Sequence, residues 1–418
     1  MEIDFPCVII DCTATSTKAG LSIFDTPTLT FPSVYSRQSS TFGDYIFGDE
    51  LDDYPENEIF TMFNEGLVYN WEAMGEFWKY IYNKLNVNPE ELPLVITENV
   101  WNTKKNKLKA CQIAFEDLKV PIFSILKRQL CTSFAVSKPS SSIIVDIDDD
   151  LISVTPINNG KCLPKGFMHT KFGGDFLNVF TAQYIKSKFE IEESNDSLLI
   201  PREYSNNNKL SESFKMYKIS ETLKDFKNCL LQASLYPLQP DQMELPPQST
   251  YSHYDNSHSP LELKSYELPN RKIIKDIGIE QYKLSEPIFR PAIFGNNEPL
   301  KLGISEESQG LSNLILDSMK SLEGSTQLYI ALLGNIVFTG SLTHIPNLEH
   351  RVIQDLARLI PDYTVRTHIS QDPIERHYDA WVGANILTSS SVGDFNHLFV
   401  SQEEYEQNGE DYVVEKFK

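Results

Sequence analysis

Apolar residues recur at a helical period between Asn70 and Leu85. Trp71, Met74, Phe77, Trp78 and Ile81 share one face, and Asn70 stands where it can cap the first turn. Earlier in the chain the pattern is that of extended structure. Cys7 to Ile10 is an apolar run ending at Asp11 and Leu21 to Phe24 is another, which predicts a hairpin around the polar segment DCTATSTKAG. Leu94 to Thr97 reads as a buried strand, and Lys104 to Leu118 as an amphipathic helix. Ser142 to Asp146 and Leu151 to Ile157 predict a second hairpin with the layout of the first. Hairpin plus helix thus occurs twice, which fits two similar α/β lobes.

Two stretches break this pattern. Asn206 to Ser211 is polar and asparagine-rich. Tyr236 to Pro260 is rich in proline, serine, glutamine and histidine, and is expected to be an exposed, partly disordered loop, because it holds too little apolar surface to offset the entropy of ordering. Its His253 and His258 have no second ligand pair at helical or hairpin spacing and read as solvated side chains, not metal ligands. The length of 418 residues predicts two or three domains or one large bilobed unit. Hydrophobic content of 41% is enough for a sizeable core. The formal net charge of −21 repels nucleic acid, so no direct DNA binding is expected. The six cysteines, Cys7, Cys12, Cys111, Cys131, Cys162 and Cys229, form no CxxC pair and point to neither a zinc site nor a disulfide framework. No apolar run approaches the length of a membrane span, and MEIDFPCVII reads as a strand, not a signal peptide.

One segment carries more information than composition does. GLVYNWEAMGEFWKYIYNKLNVNPEELPLVITE places Gly66, Val68, Asn70, Trp71, Glu72, Met74 and Trp78, then Pro89, Glu90, Glu91, Pro93, Leu94, Thr97 and Glu98, in the order and nearly the spacing of a block found in actins and actin-related proteins. The chain resembles that family. The likeness resumes at Tyr266 to Ile273, Glu286 to Pro291, Gly310 to Ile315, Asn335 to Gly340, Pro373 to Gly383 and Val400 to Gly409, leaving out about Glu190 to Pro260. It implies an α/β, actin-like ATPase fold: two similar lobes, each with a mixed β-sheet flanked by helices, and four subdomains around a central cleft. On this resemblance residues 1–31, 65–137 and 345–418 make the first subdomain. Residues 32–64 make the second, 138–185 and 275–344 the third, and 186–274 the fourth with its divergent loop at 236–260.

The resemblance also locates a nucleotide site, and the residues there are altered. Family members hold a triphosphate between two glycine-bearing hairpin loops, where glycine permits positive φ and close approach of backbone N–H groups to phosphate. The first loop keeps Asp11 and Lys18 but has no glycine between Cys12 and Thr17. Asp11 and Lys18 are therefore either metal-water and phosphate contacts or a retained salt bridge. In the second, the pattern D-x-G-D-G aligns to Asp146-Ile147-Asp148-Asp149-Asp150, so both glycines are aspartates. A carboxylate about 4 Å from a phosphate is unfavourable by roughly 4 kcal/mol at an effective dielectric near 20. Two such groups offset most of a micromolar affinity of about −8 kcal/mol. The acidic hairpin is expected to be solvated. It lacks the glycine of a calcium loop, so no metal site is expected. Arg128-Gln129 falls where the family orients attacking water. Arginine is no general base at neutral pH, although a one-residue slip would restore a glutamine. Lys224 sits near the family's adenine contact, and Gly340 persists in the adenosine loop, where the next residue is Ser341. Asp11, Lys18, Asp146, Lys224 and Gly340 are thus the expected remnants of a weak ATP site. No catalytic residue and no required cofactor are expected.

The second subdomain has a short loop between Arg37 and Tyr45, too short for the insertion through which actins polymerise. The wording at Tyr69 to Trp71, Pro89 to Thr97, Val154 to Ile157 and Lys171 to Leu177 resembles the nuclear actin-related proteins of the SWI/SNF and RSC chromatin-remodelling complexes, most of all the type-7 kind. That resemblance implies a non-catalytic nuclear subunit that regulates remodelling and transcription. It would pair with a second actin-related protein, contact other remodeller subunits, and bind the long helicase-SANT-associated helix of the remodeller ATPase subunit. Phe134, Lys161, Ile386 and Leu387 occupy the positions of the groove where the family receives partner helices, with core packing the alternative for Phe134 and Leu387. The competing reading is an active actin-like ATPase of a cytoskeletal or dynactin-type assembly.

Overall fold

A computed structural model describes residues 6–37, 44–190, 196–204, 209–238, 262–294, 304, 308–370, 372–389 and 398–417. The expected disordered loop, with His253 and His258, lies almost wholly outside the described residues. So does the tip of the short loop of the expected second subdomain, at 38–43. The chain divides into two compact units. One comprises Met1–Ile144, Thr155–Phe167 and His368–Lys418, and the other Val145–Val154 and Met168–Thr367.

The first unit is built on a six-stranded sheet in the order Val400–Ser401, Ile122–Lys127, Leu94–Glu98, Val8–Cys12, Ser16–Leu21 and Leu29–Pro32. The three central strands run parallel and the outer pairs antiparallel, so the sheet is mixed. The helix Trp71–Leu85 forms as its period predicts. Asn70 caps it, accepting from the Ala73 N–H at 3.1 Å, and Asn86 ends it in the left-handed conformation. Met74, Phe77, Trp78, Ile81 and Tyr82 are buried in the core, while Trp71 is half-buried and donates its Nε1–H to Asn106. In the same core cluster Phe115, Phe123, Tyr405 and Phe417 stack and meet edge-on.

Two predicted elements differ. The second arm of the first hairpin is Ser16–Leu21, not Leu21 to Phe24. Its polar residues tolerate burial because they are bonded: Thr17 to Ser33 at 2.8 Å and Lys18 Nζ to Ser16 Oγ at 2.8 Å. Ile23 and Phe24 fall in the following turn and stay exposed. The helix expected over Lys104 to Leu118 is α-helical only over Lys104–Gln112. It widens into a π turn over Ile113–Asp117, closed by the Leu118 N–H on the Ile113 carbonyl at 2.9 Å.

The second predicted hairpin is observed as Ser141–Ile147 and Ile152–Asn158, within a sheet ordered Lys161–Cys162, Ile152–Asn158, Ser141–Ile147, Ile336–Thr339 and Thr367–His368. In the second unit the helices Gly174–Lys188 and Glu212–Leu230 pack together. Residues from 345 onward were expected in the first subdomain, yet the helix Leu348–Leu359 belongs to the second unit. Its Arg351 is the reason. This fully buried guanidinium makes a two-pronged pair with Glu286 at 3.0 and 2.9 Å and donates to the Ser234 carbonyl at 3.0 Å.

Candidate functional site: two rebuilt nucleotide loops

In the first unit Asp11 is the last residue but one of the strand Val8–Cys12, directly opposite Lys18 in the hairpin register. The Asp11 side chain is fully buried. Its Oδ1 accepts from Thr97 Oγ1 at 2.5 Å and from Arg128 Nε at 3.3 Å, while Oδ2 is buried with no hydrogen-bond partner among the described residues. Arg128 is buried as well, so the ion pair made by Asp11 lies in a poorly solvated place. The turn between the strands closes on itself. Thr13 N–H donates to the Ser16 carbonyl at 3.0 Å, and Ser16 N–H to Thr13 Oγ1 at 3.2 Å. Those two backbone donors are spent inside the turn. Gln129, 1% exposed, donates to Asn99 Oδ1 and accepts from the Val100 N–H. Of the two residues at the water-orienting position, then, the arginine faces Asp11 and the glutamine anchors the 99–100 loop.

In the second unit the acidic hairpin is not the solvated loop expected from sequence. Asp146, Asp148 and Asp149 are buried, and Asp150 alone is half-exposed. For Asp148 and Asp149 burial is tolerated because donors converge on the carboxylates. Asp149 Oδ1 accepts from Lys227 Nζ at 3.0 Å, and its Oδ2 lies 3.2 Å from Lys224 Nζ and 3.4 Å from Ser341 Oγ. Asp148 Oδ1 accepts from the Ser341 N–H at 2.8 Å. Burial alone would raise the Asp149 pKa, but the ammonium groups of Lys227 and Lys224 outweigh it and hold the carboxyl below its ordinary range. Lys224 answers in kind: burial acts against its charge, and Asp149 nonetheless keeps the amine above its ordinary value.

The backbone explains how the loop reaches this position. The carbonyls of Asp148 and Asp149 accept from the N–H groups of Gly174 and Asp175, in the first turn of the helix Gly174–Lys188. A Cβ at Gly173 would lie 2.4 Å from the Asp148 carbonyl oxygen, and one at Gly174 would lie 2.0 Å from Asp149 Oδ1. The close approach that the family buys with glycines inside the loop is met here by glycines on the facing helix. Gly340 has φ +97°, and a Cβ there would lie 2.7 Å from Asp146 Oδ1. Lys227 and the facing role of Arg128 are not legible as site features in the sequence, because their partners lie 78 and 117 positions away.

The four expected groove residues all belong to the first unit. The helices Arg128–Ala135 and Pro373–Thr388 cross so closely that a Cβ at Gly383 would lie 1.7 Å from the Cys131 carbonyl oxygen. Leu387 is 2% exposed and packs with Cys7, Ile9, Val95, Leu126 and Trp381. It is a core side chain, because the tight crossing turns it inward. Phe134 and Ile386 are half-buried, and Lys161 is exposed on the short strand Lys161–Cys162 beside the helix Arg128–Ala135.

The sequence pattern of the family described as Actin matches residues 4–418. Among similar proteins, actin-related protein 4 of Yarrowia lipolytica is 27% identical over 98% of this chain and 95% of its own length. The SWI/SNF and RSC complexes subunit arp42 of Schizosaccharomyces pombe is 28% identical over 98% of both chains. Actin-related protein 7 of Saccharomyces cerevisiae is 27% identical over 97% of both. These three identities lie within one percentage point of each other, so the expected preference for the type-7 kind is not resolved.

Proposed function

The chain belongs to the actin family, and from that premise we propose that it is a non-catalytic actin-related subunit of a nuclear chromatin-remodelling complex of the SWI/SNF or RSC kind. The observation that carries the non-catalytic reading is the Arg128 guanidinium on Asp11. A carboxylate that serves a metal-bound nucleotide has to be open to a divalent ion. Such an ion about 4 Å from the guanidinium charge meets roughly 8 kcal/mol of repulsion at an effective dielectric near 20. That is about the whole of a micromolar affinity. Arginine, in addition, stays protonated and cannot accept a proton from water.

The place in a remodeller is supported by likeness to a protein named as a subunit of SWI/SNF and RSC complexes, aligned from end to end. With an actin scaffold and a neutralised site, the chain serves as a binding module. In this reading it pairs with a second actin-related protein and receives a basic amphipathic helix of the remodeller ATPase subunit. ATP turnover by the purified chain is the test. No turnover above buffer is expected. Turnover at rates typical of an actin, abolished by Lys18→Ala, sinks the proposal.

A further inference from the structure

Charge is spread unevenly along this chain. Its net charge is −21, yet no aspartate or glutamate occurs at positions 118–145 or 151–174. In the first unit these stretches supply the helix Arg128–Ala135, the turn after it and the short strand Lys161–Cys162. Ser137, at φ +57°, turns the chain back, and the Lys138 N–H donates to the Ser133 carbonyl at 2.7 Å. Beside it the Pro139 carbonyl accepts from the Gly160 N–H at 2.9 Å, and the Ser140 carbonyl from the Asn159 N–H at 2.7 Å. These bonds bring the backbone at Lys138 next to that at Lys161, just past the helix that carries Phe134. Lys161 is exposed and Lys138 half-buried, and neither makes an ion pair among the described residues. Lys165, in the single turn Pro164–Gly166, is exposed as well. Positions 380–388 of the crossing helix Pro373–Thr388, which include Ile386, hold no charged residue. One carboxylate does come near Ile386: Asp25 follows Phe24, whose carbonyl accepts from Asn385 Nδ2 at 2.8 Å. The lysines outnumber it.

The half-buried apolar side chains Phe134 and Ile386 thus have a basic rim on the Phe134 side, in a molecule that is acidic as a whole. Long-range and short-range electrostatics then select opposite signs. The net charge acts on a distant partner and is screened beyond about 10 Å in 0.1 M salt. A docked helix meets the local rim instead. We propose that the helix received at Phe134 and Ile386 is flanked by acidic residues where it passes Lys138 and Lys161, whatever its overall charge. The inference rests on the partner-helix reading given above and adds the sign of charge that the contact selects. A helix with lysines at those places sets like charges together, which weakens binding and disfavours that register.

Two labelled helical peptides of about 20 residues, offered to the full-length chain, test this. Both carry leucines at i, i+3, i+4 and i+7. One has glutamates beside the leucines and the other has lysines. Fluorescence anisotropy is expected to show the glutamate peptide bound more tightly, by roughly tenfold in 0.1 M salt. Lys138→Glu/Lys161→Glu is expected to reverse that order, and Lys138→Gln/Lys161→Gln to narrow the difference. Ile386→Asp is expected to weaken both peptides, with circular dichroism confirming the fold of every variant. Tighter binding of the lysine peptide by the native chain overturns the proposal and leaves the groove standing, since net charge then decides. So does a Lys138→Glu/Lys161→Glu chain that keeps the native order. Capture of neither peptide, or capture of both undiminished by Ile386→Asp, removes the groove and the inference with it. A native chain that sediments as a dimer, and that Ile386→Asp makes monomeric, overturns the proposal in favour of a second copy on this face.

Discussion

Arg128 and Lys227 bring a cation to a family aspartate by different routes. Arg128 arrives from the start of a helix 117 positions after Asp11, and Lys227 from a helix 78 positions after Asp149. Asp11, Lys18, Asp146 and Gly340 were readable from sequence because the family fixes their spacing. The cations were not, because a lone basic residue on a helix is most often solvated and nothing local names its partner. The same blind spot made three buried aspartates look like an open acidic loop. A pH dependence follows at this scale. Asp149 has its folded-state pKa lowered from 3.8, so its stabilising contribution is complete above that value and is lost as pH falls through the lowered one. Asp175 shares the site, and burial and the Asp149 charge push its carboxyl up to about 6. Urea unfolding across a pH series should therefore find a stability gap between the native chain and Asp149→Asn that widens somewhat as pH falls through about 6, where Asp175 takes up a proton and stops repelling Asp149, and that shrinks below the ordinary carboxylate range. A gap that shrinks at neutral pH would mean that another group controls it.

At the scale of elements, periodicity found the helix Trp71–Leu85 and the hairpin Ser141–Ile147 with Ile152–Asn158 almost to the residue. It misplaced the arm Ser16–Leu21, since Ser16, Thr17 and Lys18 read as loop residues until their tertiary partners are known. The π turn at Ile113–Asp117 has no sequence signal beyond an uninterrupted helical pattern. The crossing of Arg128–Ala135 with Pro373–Thr388 sorts the neighbours Ile386 and Leu387 into opposite roles. Truncating Leu387 to Ala should cost about 2–5 kcal/mol, as for other filled core positions. Ile386→Ala should cost well under half of that, since the side chain is half-buried. Chemical denaturation of the two variants side by side checks the split, and equal losses would mean that Ile386 is as much a core residue as Leu387.

For the whole molecule the relevant quantities are charge and surface. A net charge of −21 favours encounter with a basic partner and predicts salt-dependent association, while apolar contacts set the affinity. If Ile386 faces the partner helix, Ile386→Asp places an unpaired carboxylate against apolar side chains and should weaken binding by roughly 2–5 kcal/mol. Pull-down of the remodeller ATPase subunit's helix, with circular dichroism confirming the fold of the variant, decides this. Undiminished capture by a folded variant would move the partner site elsewhere. The pair Asp149–Lys227 has one more consequence, for signalling. A protein with a vacant pocket is a gauge: the fraction occupied reports how much ligand surrounds it. Lys227 is already engaged by an aspartate of its own chain, so its charge is committed at synthesis and is not left over to register a passing phosphate.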